Sequence, residues 1–362
     1  MASEQSLHMN QGEGETSYAR NSSIQNAVQK WMKPVVEEAV TDLKKFTNTS
    51  CSMLIADLGC SSGPNAVALA SMAVDAIFRY RGLDGKVPPE LWVLLNDLPD
   101  NDFGDVAKRL VAFQKDAAPN FGGHVLTAIV PGSFYKRLFI SSSLHLVLAS
   151  NSVQWLSEAP EDLRKNGIPM YDCDEGLRQA RRSLVLQAYA RQFRKDFTLF
   201  LNLRAQELVP GGQMVISLPG HCSNDSACQS NLRCDGTAFM LNDMASRQGV
   251  IDREKLDSFY LPMYDPSDQE LREIIQDEGS FMINKILVHD VISDMDKISI
   301  TPKMVALTVR AAFEPIIAQH FGSQGQVMEE FERTVEWHVG AGAGRPQVFA
   351  SAFLCVSLKK KV

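Results

Sequence analysis

Apolar positions in this chain alternate between short continuous runs and longer stretches of helical spacing. The run Met53-Leu54-Ile55-Ala56 reaches Asp57-Leu58 and gives way to Gly59-Cys60-Ser61-Ser62-Gly63. Pro64 follows, where a first helical turn would begin, and then an Ala-rich periodic stretch. This order predicts a buried strand, a tight turn and a helix N-terminus. Upstream, Ile24, Val28, Trp31, Val35, Val36, Ala39, Val40 and Leu43 recur near helical spacing. They predict a helix over 24–45 that Pro34 strains or divides. Further strands are predicted over 91–97, 125–130, 144–149, 213–218, 281–290 and 348–358. Helices are predicted over 103–113, 179–207, 268–277, 301–321 and 327–339. Ser267 and Glu270 stand at capping-box spacing before the third of these. Pro210-Gly211-Gly212 reads as a turn ahead of the strand at 213, and Pro315 must be tolerated inside a helix.

Strands that alternate with helices predict an α/β protein. Five βα-like units, an insertion and further helices and strands predict a Rossmann-like seven-stranded core with a helical cap. The expected boundaries are an N-terminal segment, 1–50, closing over the active site, and a core from 51 to 219. A cap insertion spans 220–265, with further cap helices near 301–340, and 266–362 supplies the remaining core.

Candidate chemistry gathers at strand ends. The turn Gly59-Cys60-Ser61-Ser62-Gly63 lacks the middle glycine of a dinucleotide fingerprint, which disfavours a nicotinamide cofactor. A carboxylate, Asp57, suits an amine better than a phosphate. Asp97, at the tip of the next strand, is placed to accept hydrogen bonds from ribose hydroxyls. Asp57 alone also fits a strand-end cap; with Asp97 and the turn it points to S-adenosylmethionine. Ser133 and Phe134, after the third strand, offer a hydroxyl and a ring for an adenine. Trp155 lies at the exit of the fourth strand, in the crevice of such sheets, although a lone Trp also fits a core. Tyr18, Ser22 and Gln25 are the polar candidates of the N-terminal segment.

Charge and composition remove other classes. Among 362 residues the net charge is -7, and the one short basic run, Lys359-Lys360-Lys361, reads as a solvated tail, so no nucleic-acid partner is expected. Seven cysteines are scattered without a zinc or disulfide pattern. No apolar stretch is long enough to span a bilayer and the start is polar, so a soluble cytoplasmic protein without membrane contact is expected.

Several stretches together resemble the plant carboxyl methyltransferases that act on salicylate, benzoate, jasmonate, anthranilate and related acids, a family that includes caffeine-pathway N-methyltransferases. They are G-E-T-S-Y-A-R-N-S-S-I-Q from Gly14, A-D-L-G-C-S-S-G-P-N from Ala56 and L-N-D-L-P-D-N-D-F from Leu95. P-G-S-F-Y from Pro131, Q-W-L-S-E-A-P from Gln154 and F-Y-L-P-M-Y from Phe259 complete the set, in order along nearly the whole chain. The resemblance implies that Tyr18, Ser22, Asp57, Cys60, Asn65, Asp97, Leu98, Ser133 and Phe134 contact S-adenosylmethionine. It implies that Gln25 and Trp155 hold an acceptor carboxylate, with Asn151 and Gln154 at positions that vary with substrate. Some relatives carry magnesium; Asn166, Asp257 and Phe259 are the nearest matches, with Tyr260 in place of the usual asparagine. Relatives also look like homodimers. Asn10 replaces a lysine of several salicylate-type enzymes, and Gln154 is similar to the glutamine of anthranilate-type ones. Arg233 and Cys234 fall near acceptor positions, though Arg233 equally fits a solvated loop. The implied activity is methyl-ester formation on a small carboxylic acid without a catalytic base: anthranilate, benzoate or salicylate ahead of jasmonate. The alternatives are N-methylation of a purine alkaloid, or a silent paralogue.

Overall fold

The computed structural model describes residues 8–46, 52–83, 89–121, 125–223, 234–247, 249–295, 300–322, 325–341 and 352–362. In chain order the elements begin with α1 (Ser23–Phe46), β1 (Ser52–Leu58), α2 (Ala68–Leu83), β2 (Glu90–Asp97), α3 (Phe103–Phe121), β3 (Val125–Pro131) and β4 (Leu144–Ser150). Next come α4 (Glu161–Lys165), α5 (Glu175–Glu207), β5 (Leu208–Pro219), α6 (Cys234–Arg247), α7 (Arg253–Asp257) and α8 (Asp268–Glu278). The last are β6 (Phe281–His289), α9 (Pro302–Phe321), α10 (Gly325–Gly340) and β7 (Phe353–Lys360).

The strands form a seven-stranded mixed sheet in the order β3-β2-β1-β4-β5-β7-β6. β1 to β5 run parallel, and β7 is antiparallel to both neighbours. Strand order reverses between β1 and β4, which opens a crevice at their carboxyl ends. Alternation along β1 serves two cores. Met53 and Ile55 pack with α1, α2 and α3, while Ala56 and Leu58 face α5, α8 and the helices α6, α9 and α10.

The seven-stranded sheet and its helices appear where the pattern placed them, with instructive differences at the ends. α1 is continuous through Pro34, because Val28, Met32, Val35 and Val36 bury one unbroken apolar stripe around it. α3 continues past 113 to Phe121, and α5 starts at Glu175 rather than 179. The Asp174 carboxylate accepts the Leu177 N–H at 2.8 Å to cap an exposed first turn, which carried no apolar signal. Pro210-Gly211-Gly212 is a bulge inside β5 rather than a turn before it. Leu208 pairs with Leu144 and Gln213 with Leu146, and the surplus residues bow out with Gly211 at φ 75°. The Ser267–Glu270 capping box forms as expected. Part of the last predicted strand, 348–351, and Arg233 lie outside the described residues. No helix among the described residues is long and apolar enough to cross a membrane.

Candidate active site

Register brings the strand-end acids together. Leu58 of β1 pairs with Asn96 of β2, so Asp97 stands one residue beyond the β1 tip, and Asp97 in turn pairs with Pro131 of β3. Asp97 accepts the Ser61 N–H at 2.6 Å and the Leu98 N–H at 2.7 Å. Ser61 holds φ 55°, a strained conformation that the Asn101 side-chain amide stabilises by donating to its carbonyl at 2.9 Å. Burial pushes the Asp97 carboxyl up to about 6, while those two N–H groups and His8 pull the other way. Asp57 is 3% exposed, and burial followed by the charge of Asp97 pushes it up to about 8. Among the described residues, neither acid has an ion-pair partner. Two such carboxylates in a desolvated crevice favour a cation beside them.

Two glycines of the motif make room for protein. A Cβ on Gly59 (φ 77°) would lie 2.4 Å from the Ser152 Cβ, and one on Gly63 (φ 87°) would lie 2.7 Å from the Ala19 Cα. Gly63 thus lets the N-terminal segment lie directly on the turn. The Asn65 amide fixes that contact: it donates to the Ser22 carbonyl at 2.9 Å and hydroxyl at 3.0 Å, and accepts from Asn26 at 2.9 Å. Tyr18 is buried here, its hydroxyl held neutral by burial and by the nearby Asp97 charge. Burial, then Asp97 and Asp57, likewise raise the Cys60 thiol, so it packs as a neutral side chain. Asn96, which the sequence reading did not single out, donates to Val130 O at 2.7 Å and Gly132 O at 2.8 Å. It thereby fixes the loop that carries Ser133 and Phe134.

Beyond this end the crevice widens into a cleft of about 640 Å³ that opens to solvent. Tyr18, Gln25, Asn151, Gln154 and Trp155 line it together. Ser150 pairs with Ser217 and Pro219 with Phe353, so the tips of β4, β5 and β7 form its floor. Thr308, Val309, Ala312 and Phe313 of α9, with Ile24, Met9 and Met263, supply walls that the sequence reading did not assign to the site. Asn10 is not on the cleft. Its amide donates to Glu314 at 2.8 Å and its N–H to Ala311 O at 2.8 Å, so it fastens the N-terminal segment to α9. Trp155 is half-buried rather than core, edge-on to Phe313 at 5.8 Å, and forms a backbone bridge with Met263. Asn151 sits at φ 55°, and Gln154 is 5% exposed with its Nε2 donating to Asn151 O at 2.7 Å. Among the described residues, the buried Oε1 atoms of Gln25 and Gln154 have no hydrogen-bond partner.

Residues 4–361 match the family described as SAM dependent carboxyl methyltransferase. The chain belongs to that family. It is 38% identical over 349 residues to a probable jasmonic acid carboxyl methyltransferase 2 of Theobroma cacao, covering 92% of each chain. It is 38% identical over 328 residues to a benzoic acid/salicylic acid carboxyl methyltransferase 2 of Petunia hybrida, covering 88% of each. Among solved structures it resembles a loganic acid methyltransferase with SAH, at 29% identity and a TM-score of 0.82 over 98% of this chain and 99% of that one. S-adenosylmethionine is therefore the methyl donor of this methyltransferase, and the unpaired acids Asp57 and Asp97 fit its cationic character.

Magnesium does not fit the residues expected to hold it. Asn166 is exposed and donates from Nδ2 to Asp162 O at 2.7 Å as the last turn of α4 closes. Asp257 is exposed beside the Cys173 thiol, and Phe259 is buried against His320 and Phe321. Tyr260, in place of an asparagine, donates its hydroxyl to Ile168 O at 2.8 Å. Asp257 is the one carboxylate in the set, where magnesium calls for a near-octahedral shell of oxygens. Among the described residues, no three His, Cys, Asp or Glu side chains cluster as metal ligands. The methyltransferase reading of this chain needs no such ion. Cys234 is the first residue of α6.

Proposed function

We propose that this methyltransferase converts a small aromatic carboxylic acid of the benzoate, salicylate or anthranilate type into its methyl ester. The observation that carries the reading is the cleft itself. Gln25 and Trp155 both line it, among the apolar side chains Val309, Ala312 and Phe313 of α9 and those of neighbouring segments. The Trp155 and Phe313 rings suit a flat aromatic body. The unpartnered Gln154 oxygen wants a donor, which an ortho hydroxyl or amino group supplies.

A carboxylic acid of pKa near 4 is ionised at neutral pH, so the acceptor oxygen needs no general base. Bound S-adenosylmethionine supplies the methyl group on its sulfonium. The chain's own residues bind and orient. Asp97 has lone pairs left for ribose hydroxyls after its two backbone bonds. Asp57 offers negative charge to the amine, and Ser133 and Phe134 take the adenine. Tyr18, Ser22, Cys60, Asn65 and Leu98 pack around them. Gln25 and Trp155 donate N–H groups to one carboxylate oxygen and leave the other free to attack. Held geometry of this kind supplies up to about 7–11 kcal/mol of the barrier. The N-terminal segment, pinned at Gly63 and Asn10, covers one side of the cleft through Met9, Tyr18, Ile24 and Gln25.

Ranking kcat/KM over benzoate, salicylate, anthranilate, jasmonate and indole-acetate tests the substrate class. One of the three aromatic acids is expected to lead jasmonate by about tenfold or more, the scale of a few mismatched pocket contacts. Jasmonate in first place would overturn it.

A further inference from the structure

Tyr135 takes no part in binding as described so far, yet it stands between the two halves of the site. It follows Phe134 directly and lies edge-on to that ring at 4.8 Å. Its N–H donates to the Ser133 hydroxyl at 3.2 Å. Its own hydroxyl donates to Trp155 O at 2.7 Å, while the Trp155 N–H donates to Ser152 O at 3.1 Å. Among the described residues, that phenol bond is the one hydrogen bond joining loop 131–139 to loop 150–157.

Each loop has its own further anchors: the first is held at Gly132 by Asp97 and Asn96, the second beside Trp155 by the Met263 bridge and by Leu156 N–H donating to Pro262 O, and each is fastened separately to α5. Arg204 and Glu207, fully buried and paired at 2.8 Å, hold the first loop. Arg204 donates to Phe134 O and Lys136 O, and Glu207 accepts from Leu138 N and Phe139 N. Asp196, one turn-pair earlier, holds the second by accepting the Ser157 N–H at 2.8 Å and hydroxyl at 2.7 Å. Neither anchor needs the phenol. Burial, and secondarily Asp196, keep the Tyr135 hydroxyl protonated and able to donate throughout the working pH range.

We propose that Tyr135 is a positioning residue that couples occupancy of the Ser133–Phe134 loop to the orientation of Trp155. This rests on the cofactor and acceptor roles argued above. A base that settles against Ser133 and Phe134 fixes the Tyr135 ring, and the ring's hydroxyl then fixes the Trp155 backbone from which the indole projects. The two ligands thereby reinforce one another, a reciprocal coupling between sites.

The test is Tyr135→Phe, which keeps the ring and both α5 anchors. In a protein carrying Trp31→Phe, Trp92→Phe and Trp337→Phe, Trp155 is the sole tryptophan, and its emission is followed as S-adenosylhomocysteine is added. A cofactor-induced change is expected in that parent and is lost by two-thirds or more with Tyr135→Phe added, while the S-adenosylhomocysteine Kd stays within threefold. An equal change in both proteins, no change in the parent, or a Kd weakened more than tenfold would overturn the proposal. The last outcome would make Tyr135 a simple support of the adenine loop. Calorimetry with benzoate, salicylate and anthranilate supplies the second arm. S-adenosylhomocysteine should tighten acid binding about fivefold or more in wild type and less than twofold in Tyr135→Phe. If none of the acids binds while the emission change behaves as expected, the acceptor assignment fails and the coupling stands.

Discussion

The proposed cofactor end and the proposed acceptor cleft of this methyltransferase are built on different principles. At the cofactor end, Asp57 and Asp97 come from neighbouring strand tips, and backbone N–H groups of Ser61 and Leu98 grip Asp97 directly. In the cleft, the wall is gathered from Met9, Ile24, Asn151, Gln154, Trp155, Met263, α9 and the start of β7, segments spread over the whole chain. Backbone geometry fixes the first, and packing of helices and loops fixes the second. Substitution at the cleft can therefore change the acceptor while leaving the cofactor end intact, and this separation is what fold families use to vary substrate.

Three measurements press on that separation. Trp155→Ala should lower kcat/KM for the acid about a hundredfold, the scale of losing a buried aromatic anchor, while the S-adenosylhomocysteine Kd moves less than threefold. Equal losses in both quantities would show that the halves are not separable. Asp97→Ala should do the reverse and weaken cofactor binding roughly tenfold to a hundredfold, the scale of hydrogen bonds to a charged group. An unchanged cofactor Kd by calorimetry would remove the ribose role. The smallest effect is a pH dependence. Asp57 keeps its proton to about 8 in the free protein, and a bound cation favours the ionised form. Binding below that pH must expel a proton, so cofactor affinity should rise from pH 6 to 8 by at most about tenfold per unit, then level off. Asp57→Asn should flatten the curve. The sign for folding is opposite: the folded pKa lies above the unfolded value near 3.8, so the cofactor-free protein loses stability as pH rises across that window. A melting temperature of the cofactor-free protein with the same pH slope between 5 and 8 in Asp57→Asn as in the unaltered chain would contradict the burial of Asp57.

Legibility in the sequence follows the same division. Strands with continuous apolar runs, the Ser267–Glu270 cap and the acids at 57 and 97 were readable because each is a local signal. The close approaches that Gly59 and Gly63 permit were not legible, since the atoms they avoid belong to Ser152 and Ala19, distant in sequence. Pro210-Gly211-Gly212 read as a turn because nothing local distinguishes a turn from a bulge whose partner is β4. α9 was readable as a helix, but its long apolar pattern hid which face meets the cleft. Thr308 gives no external polar cue either, because its hydroxyl donates back to Met304 O at 2.9 Å within the helix. Asn10 shows the limit most plainly. A position that the sequence marks only as a departure from a lysine of similar enzymes is used, through Glu314 and Ala311, to fasten the N-terminal segment.

The central claim is transfer of a methyl group to a carboxylate oxygen held by Gln25 and Trp155. The most direct test incubates the purified protein with methyl-labelled S-adenosylmethionine and, separately, benzoate, salicylate, anthranilate and xanthosine, followed by mild alkali. The account predicts label in a solvent-extractable product of one of the acids, released by alkali as an ester must be. Label on xanthosine alone, in a product that survives alkali, would contradict it.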